Sequence, residues 1–487
     1  MVLTVLTDDQ IKTILADLTA DEFDGFRKVI STALHEYSTN THNIEDGTYH
    51  QPERVSTENL KTGATTLYMP SVGPQGMGCK GDSHILSSSP RTSILTPRVV
   101  VTLSSSKAAQ DPLRPSIQPT GAVTLLSPDG QPVGFLHAKT LTAFRTALSS
   151  TCLLARRSQV KTITVFGTGL QAYWHVRLAL LVRGATIKQV NVINRRFSDG
   201  ARGFMKQFYG VPAHIKEREG WAETTFSILT PGYGEFKRLQ REQIRDADVV
   251  YCCTPSTEEL FEAEVLTSHE GRRKGRLIAA IGSYRPEMRE LPEGLLLQAT
   301  KHEKPHWHFH KHAPEGGVIV VDTLDGALKE AGEIIAAGLQ PTQLVELGEL
   351  IMLRRMHEEE GAASADDDTA SIAASELEKL DFSGSPSIKS AFSGSDGASV
   401  SESRSSISKD SSTTGSSSSS KGPSMLRRSS SQRSSDKRKK EDALVRWLKD
   451  GTVIYKSVGL GLMDLSVGMH MIQLAKEKGI GTLIEGF

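Results

Sequence analysis

Residues 161–323 alternate two hydrophobic patterns. Short apolar runs rich in β-branched residues read as buried strands: TITVFG, QVNVIN, DADVVYCCT, GRLIAAIGS and GGVIVVDT. Between them, LQAYWHVRLALLVRG and FSDGARGFMKQFYG carry apolar residues at helical spacing. This rhythm predicts an α/β unit with a doubly wound parallel sheet over residues 151–345. Residues 1–150 read differently. Helical segments QIKTILADL and DGFRKVISTALHEY come first, and strand-like TTLYMP, RVVVTL, AVTLLS and PVGFLHA follow. That order predicts an α+β unit.

Composition changes the picture most at residues 361–440, where Ser fills 28 of 80 positions and aromatics are nearly absent. Such a stretch buries too little apolar surface to offset its ordering entropy, so a long disordered Ser-rich insertion is expected there. Patterned sequence resumes at 443–487, which makes the stretch an insertion in a folded chain. The 57 basic and 57 acidic side chains give a formal net charge of +0. That balance argues against nucleic acid or an anionic membrane surface as the main partner. The four cysteines form no C-x-x-C pair, so neither a zinc ribbon nor a disulfide framework is indicated. The start, MVLTVLTDDQ, has no basic n-region. No window reaches the length of a membrane span. A soluble, cytoplasmic protein is expected.

Gly167-Thr168-Gly169-Leu170-Gln171-Ala172 joins a predicted strand to a predicted helix. Gly167 allows the tight turn, Gly169 lets backbone approach a pyrophosphate, and Ala172 permits close helix–strand packing. The first-turn N–H groups then face the phosphates. In this strand–turn–helix setting the pattern predicts a Rossmann dinucleotide site. The next strand ends Asn194-Arg195-Arg196. It lacks the carboxylate that takes a ribose 2′-hydroxyl, and two guanidiniums stand where a 2′-phosphate would lie. NADPH is therefore the expected cofactor, ahead of NADH.

Around this loop the chain resembles the ornithine cyclodeaminase/mu-crystallin family. The matching stretches are LTAFRTALSS (141–150), GTGLQA (167–172), IGSYRPEMREL (281–291), VVDTLDGALKEAGEI (320–334) and KSVGLGLMDL (456–465). A weaker match, PERV…TGATTLYMPSVGPQGMGCKGD (52–82), precedes them. The resemblance implies a homodimer whose protomer has a substrate and dimerisation domain at 1–150, completed by 443–487, and a Rossmann domain at 151–345. It also implies hydride transfer at a carbon–nitrogen bond on a small imino or amino acid. Arg54, Lys80 and Arg145 match the family's substrate contacts and Tyr284 occupies a fourth such position, with Lys80 and Arg145 as catalytic candidates. Two arginines suit fork-on-fork recognition of a carboxylate, and Lys80 suits a reacting nitrogen. Thr254 is expected near the nicotinamide side of the cofactor, and Ser283 among the cofactor contacts.

One position departs from the family pattern. Cyclodeaminases carry a catalytic Asp two residues before the proline of Gly282-Ser283-Tyr284-Arg285-Pro286, and here that residue is Tyr284. A phenol with an ordinary pKa of about 10 is a poor base for expelling ammonia. The resemblance thus points to reduction of a cyclic ketimine. The alternatives are an ornithine cyclodeaminase and a cofactor-dependent ligand-binding protein without turnover. Asp464 either faces the active site or caps a helix. His302, His306, His308, His310 and His312 fit no defined ligand pattern, so no metal is expected. Arg427-Arg428-Ser429-Ser430 resembles a basic-directed phosphorylation site.

Overall fold

The computed structural model describes residues 2–40, 49–59, 64–84, 120–301, 316–351 and 445–487. The Ser-rich segment 361–440, the histidine-rich stretch 302–312, RVVVTL (98–103) and Arg427–Ser430 lie outside the described residues.

The strands run in chain order as β1 (Val2–Leu6), β2 (Val55–Asn59), β3 (Ala64–Gly73), β4 (Gly76–His84), β5 (Thr120–Leu126), β6 (Pro132–His137), β7 (Thr162–Phe166), β8 (Gln189–Ile193), β9 (Thr225–Leu229), β10 (Val249–Cys252), β11 (Leu277–Ala280), β12 (Val318–Val321), β13 (Val345–Glu346), β14 (Val453–Lys456) and β15 (Thr482–Glu485). They form two sheets. The first has the order β15-β1-β6-β5-β4-β3-β2 and is antiparallel except where β1 joins β6. The second has the order β13-β12-β14-β11-β10-β7-β8-β9 and is parallel throughout. The fold is α/β, with a Rossmann-type parallel sheet beside an α+β unit.

Every residue of β10, β11, β12 and β14 is buried. Their unbroken apolar runs follow from helices covering both faces of a parallel sheet. On the first sheet, Ala20–Asn40, Ala138–Leu154 and Gly461–Glu477 pack against one another, and Gly461–Glu477 lies against β3, β4 and β5. Ala138–Leu154 also packs on Leu170–Arg183 of the Rossmann unit, so one apolar core runs through both units.

Sequence reading assigns 443–487 wholly to the first unit, and the topology divides it. β14 enters the parallel sheet between β11 and β12, in register with both. Only Gly461–Glu477 and β15 pass to the first sheet. The physical reason is in VIYK, a short strand buried at all four positions that completes a gap between two parallel strands. β1 and β9 are likewise strands that the apolar pattern did not single out.

Candidate functional site

The glycine loop lies between β7 and the Leu170–Arg183 helix, at the point where strand order reverses between β7 and β10. Gly167 has φ +95°, and a Cβ there would meet the Cys253 carbonyl oxygen and Thr254 Cγ2 at 3.0 Å. Its N–H donates to Ile193 O at 2.9 Å, tying the turn to the end of β8. Gly169 is the helix N-cap, with φ −81° and no side-chain cap. A Cβ on it would meet nothing within 4 Å. Ala172 is fully buried against the sheet. Thr168, Leu170 and Gln171 complete an exposed-to-half-buried first turn whose N–H groups no side chain caps. These features fit a pyrophosphate. At the end of β8, Asn194 Nδ2 donates to Arg196 O at 2.8 Å and turns the chain, leaving Arg195 and Arg196 exposed.

Thr254 and Ser283 follow β10 and β11, and a buried carboxylate joins them. Glu290 Oε1 accepts from Thr254 N at 2.7 Å and Oγ1 at 3.1 Å. Its Oε2 accepts from Gly282 N at 2.6 Å and Ser283 N at 3.3 Å. Burial pushes the Glu290 carboxyl up to about 7, with Glu333 adding to the shift and Lys456 opposing it. Ser283 Oγ donates to Glu333 at 2.6 Å and accepts from Lys456 Nζ at 2.5 Å. Both hydroxyls are therefore turned into the protein. Tyr284 is half-buried on the loop whose carbonyls at 285, 286 and 288 pack directly on Gly332.

The segment Lys456–Asp464 runs from this network to a second cluster. Asp322, at the end of β12, accepts from Ser457 Oγ at 2.9 Å, Val458 N at 3.0 Å and Gly459 N at 2.7 Å. Gly459 takes φ +83° and lies so close to Arg145 that a Cβ would sit 2.9 Å from its guanidinium. Gln51 accepts from Leu462 N at 2.8 Å and donates to Pro70 O at 2.7 Å, fixing the helix start to β3. Two residues further on, Asp464 is fully buried.

Asp464 lies between two buried cations. Lys80 Nζ, from β4, is 3.4 Å from Oδ1, and Arg145 Nη2 is 3.1 Å from Oδ2. Lys80 and Arg145 are 2% and 3% exposed. Both Asp464 oxygens and Arg145 Nε are buried without a hydrogen-bond partner among the described residues. The ion pairs thus have contact distance without hydrogen-bond alignment. Arg145 Nη1 also meets Met463 Sδ at 3.3 Å. Arg54 is close enough to feel Arg145. Burial pushes its guanidinium down to about 10, Asp322 opposes that shift, and Arg145 adds to it. Arg54 pairs with Glu330.

The fold therefore brings Lys80, Arg145 and Asp464 together and puts Arg54 within electrostatic reach of Arg145. Sequence reading left Asp464 open and missed Asp322, Glu290, Glu333 and Lys456. The available signal was charge inside apolar runs, as in VIYKS and VIVVDT. Among the described residues, no group of three or more His, Cys, Asp or Glu is disposed to hold a metal ion. No described helix is long and apolar enough to cross a membrane.

No protein-family model matches the chain. An uncharacterized Saccharomyces cerevisiae protein is 28% identical over 258 residues, covering 48% of this chain and 64% of that one. The Δ(1)-pyrroline-2-carboxylate reductase of Bacillus cereus is 30% identical over 230 residues, covering 46% and 57%. Ketimine reductase mu-crystallin of Mus musculus is 24% identical over 233 residues, covering 47% and 58%. The chain thus spans less than two thirds of these relatives' own lengths, between 57% and 64%. Among solved structures, an archaeal alanine dehydrogenase dimer with bound NAD superposes with a TM-score of 0.56 at 16% identity, covering 100% of both chains. Thermococcus litoralis Δ(1)-pyrroline-2-carboxylate reductase, in complex with NADH and L-proline, gives 0.55 at 16% identity, covering 98% and 99%. At these identities the likeness is one of fold.

Proposed function

We propose that this chain, which resembles the ornithine cyclodeaminase/mu-crystallin family, is an NADPH-dependent oxidoreductase that reduces a small carboxylate-bearing imine, with cyclic ketimines as its substrate class. The observation that carries this reading is the buried Lys80–Asp464–Arg145 group beside Arg54. Its three cations, Arg54, Lys80 and Arg145, are held among three carboxylates, Asp464, Glu330 and Asp322. Arg145 Nε is buried there without a hydrogen-bond partner among the described residues, and a substrate carboxylate supplies the missing acceptor.

In this reading Arg145 and Arg54 clamp the carboxylate, since a guanidinium matches its two oxygens as a fork. Lys80 hydrogen-bonds the imine nitrogen and delivers the proton that the nitrogen gains. Asp464 fixes Lys80 and Arg145 relative to each other by charge. When bound, a reduced nicotinamide cofactor supplies the hydride that the imine carbon gains. The Gly167–Gly169 turn and the N–H groups of Leu170, Gln171 and Ala172 would hold its pyrophosphate, and Arg195 and Arg196 its 2′-phosphate. Thr254 and Ser283 would border its nicotinamide side, held in place by Glu290. Tyr284 supplies no ready base for expelling ammonia, which favours reduction over cyclodeamination.

The test is NADPH absorbance with purified full-length protein and a panel of cyclic imino acids. Consumption is expected with the imino acid, much less with the same ring lacking its carboxylate, and less with NADH. Arg145→Lys keeps the charge but loses the fork, and should lower kcat/KM by about 10- to 1000-fold. Equal reduction of the neutral imine would overturn the carboxylate clamp. Release of ammonia from L-ornithine would favour the cyclodeaminase reading, and tight imino-acid binding without turnover the binding-protein reading.

A further inference from the structure

Two neighbouring ion pairs join the α+β unit to the Rossmann unit. Glu53 and Arg54 precede β2, while Lys329 and Glu330 end the Leu324–Glu330 helix. Glu53 pairs with Lys329, and Arg54 with Glu330. The charge order is inverted between the two segments, so both contacts are attractive. They are not equivalent. Glu53 and Lys329 are 79% and 54% exposed, and Lys329 also has Asp325 at 3.0 Å. Arg54 and Glu330 are only 18% and 24% exposed. Solvent screens the outer pair, and little coupling is expected from it. The inner pair is shielded, and Arg54 has Arg145 as a neighbouring cation.

Glu330 is itself a carboxylate on the guanidinium assigned to a substrate carboxylate. We propose that Glu330 is a gate: it holds Arg54 and ties the two units together, and an incoming carboxylate must take its place. This rests on the reading of Arg54 as a carboxylate contact. The exchange breaks one ion pair and forms one of the same kind, so the substrate gains less than a free arginine would give it. A tie that leaves Arg54 free about a tenth of the time weakens apparent affinity about tenfold. Glu330 acts through Arg54 and is a positioning residue. It sets KM, and it discriminates against ligands too weakly charged to displace it.

The experiment measures binding of pyrrole-2-carboxylate, a planar cyclic carboxylate, by calorimetry in the presence of NADPH. Three variants are compared with the unmodified protein: Glu330→Gln, Glu330→Asp and Arg54→Gln. Glu330→Gln should tighten the probe about 5- to 30-fold by removing the competitor. It should lower KM for the best imino acid with little change in kcat, and leave KM for NADPH unchanged. Glu330→Asp keeps the charge but shortens the reach, and should tighten the probe by less. That variant keeps the test open if the Gln variant does not fold. Arg54→Gln should weaken the probe. If Arg54→Gln weakens binding while both Glu330 variants bind as before or more weakly, the gate is wrong and the carboxylate site stands. If Arg54→Gln binds the probe like the unmodified protein, the assignment of Arg54 fails and the gate falls with it.

Discussion

His175 Nδ1 lies 2.8 Å from the Gln171 carbonyl oxygen, and Nε2 lies 2.9 Å from Ser150 Oγ. A carbonyl only accepts, so this assignment puts the proton on Nδ1, and Nε2 accepts from the hydroxyl. The neutral ring is satisfied at both nitrogens, and protonation would reverse the bond with Ser150, whose Oγ also has Thr146 O at 3.4 Å. Burial pushes its pKa from 6.5 down to about 4, with the bond to Gln171 opposing. A folded value below the unfolded one means that the stabilisation is complete above the unfolded value. It is lost as pH falls through that window towards the folded value. The shift corresponds to about 3 kcal/mol. In thermal unfolding between about pH 7 and about pH 4, the unmodified protein should lose more stability than His175→Gln. Equal losses would show that His175 does not drive the acid limb. Little of this was legible. His175 lies in an apolar helical run, and its partners are chosen by helix packing. Asp464 was left open for a related reason: its partners Lys80 and Arg145 come from a strand and a helix far away in sequence. Arg145 was legible only because its motif outweighed the ordinary expectation that a charged side chain is exposed.

At the scale of elements, the glycine loop separates two demands that its motif merges. Gly167 needs its glycine for the fold: φ is +95°, and a Cβ would meet Cys253 O at 3.0 Å. Gly169 does not, because φ is −81° and no atom lies within 4 Å of its Cβ position. Gly167→Ala should therefore cost about 1–2 kcal/mol in stability from its left-handed backbone, read as a lower Tm. Gly169→Ala should leave Tm nearly unchanged and, with the pyrophosphate where the proposal puts it, weaken NADPH about tenfold or more, because the methyl would stand in its approach. Full NADPH affinity in Gly169→Ala would remove the phosphates from this loop. The strands flanking the loop were legible because a parallel strand buried on both faces is a continuous apolar run. β9 was not, because it lies at an edge of the sheet and only Leu229 of its five residues is buried. β14 is as apolar as its neighbours, but it follows the Ser-rich stretch, and chain order alone does not say which sheet it enters.

For the whole molecule, β14 gives the Ser-rich stretch its sharpest test. The chain leaves the described fold after Ile351 and rejoins it at Val445. Three consecutive residues hold both ends. Arg156 Nη2 donates to Leu350 O at 2.5 Å. Arg157 Nη1 donates to Leu448 O at 3.2 Å and to Gly451 O at 2.7 Å. Ser158 N donates to Lys449 O at 3.1 Å. The departure and return points are therefore neighbours, and a short connection spans them. Deleting residues 365–438 and joining the ends with a short Gly/Ser linker should leave NADPH binding unchanged. Stability should be equal or higher by on the order of 1 kcal/mol, because closing a shorter loop costs less entropy. Stopping the chain at residue 351 should give a different result. It removes β14 from between β11 and β12, and with it Asp464 and the Gly461–Glu477 helix that covers the first sheet. That protein should be insoluble, since both sheets lose a buried element. Solubility, Tm and NADPH titration of the two shortened chains decide the matter. If the internal deletion fails as the truncation does, the Ser-rich stretch contributes to the fold, and its composition was the wrong guide to its role.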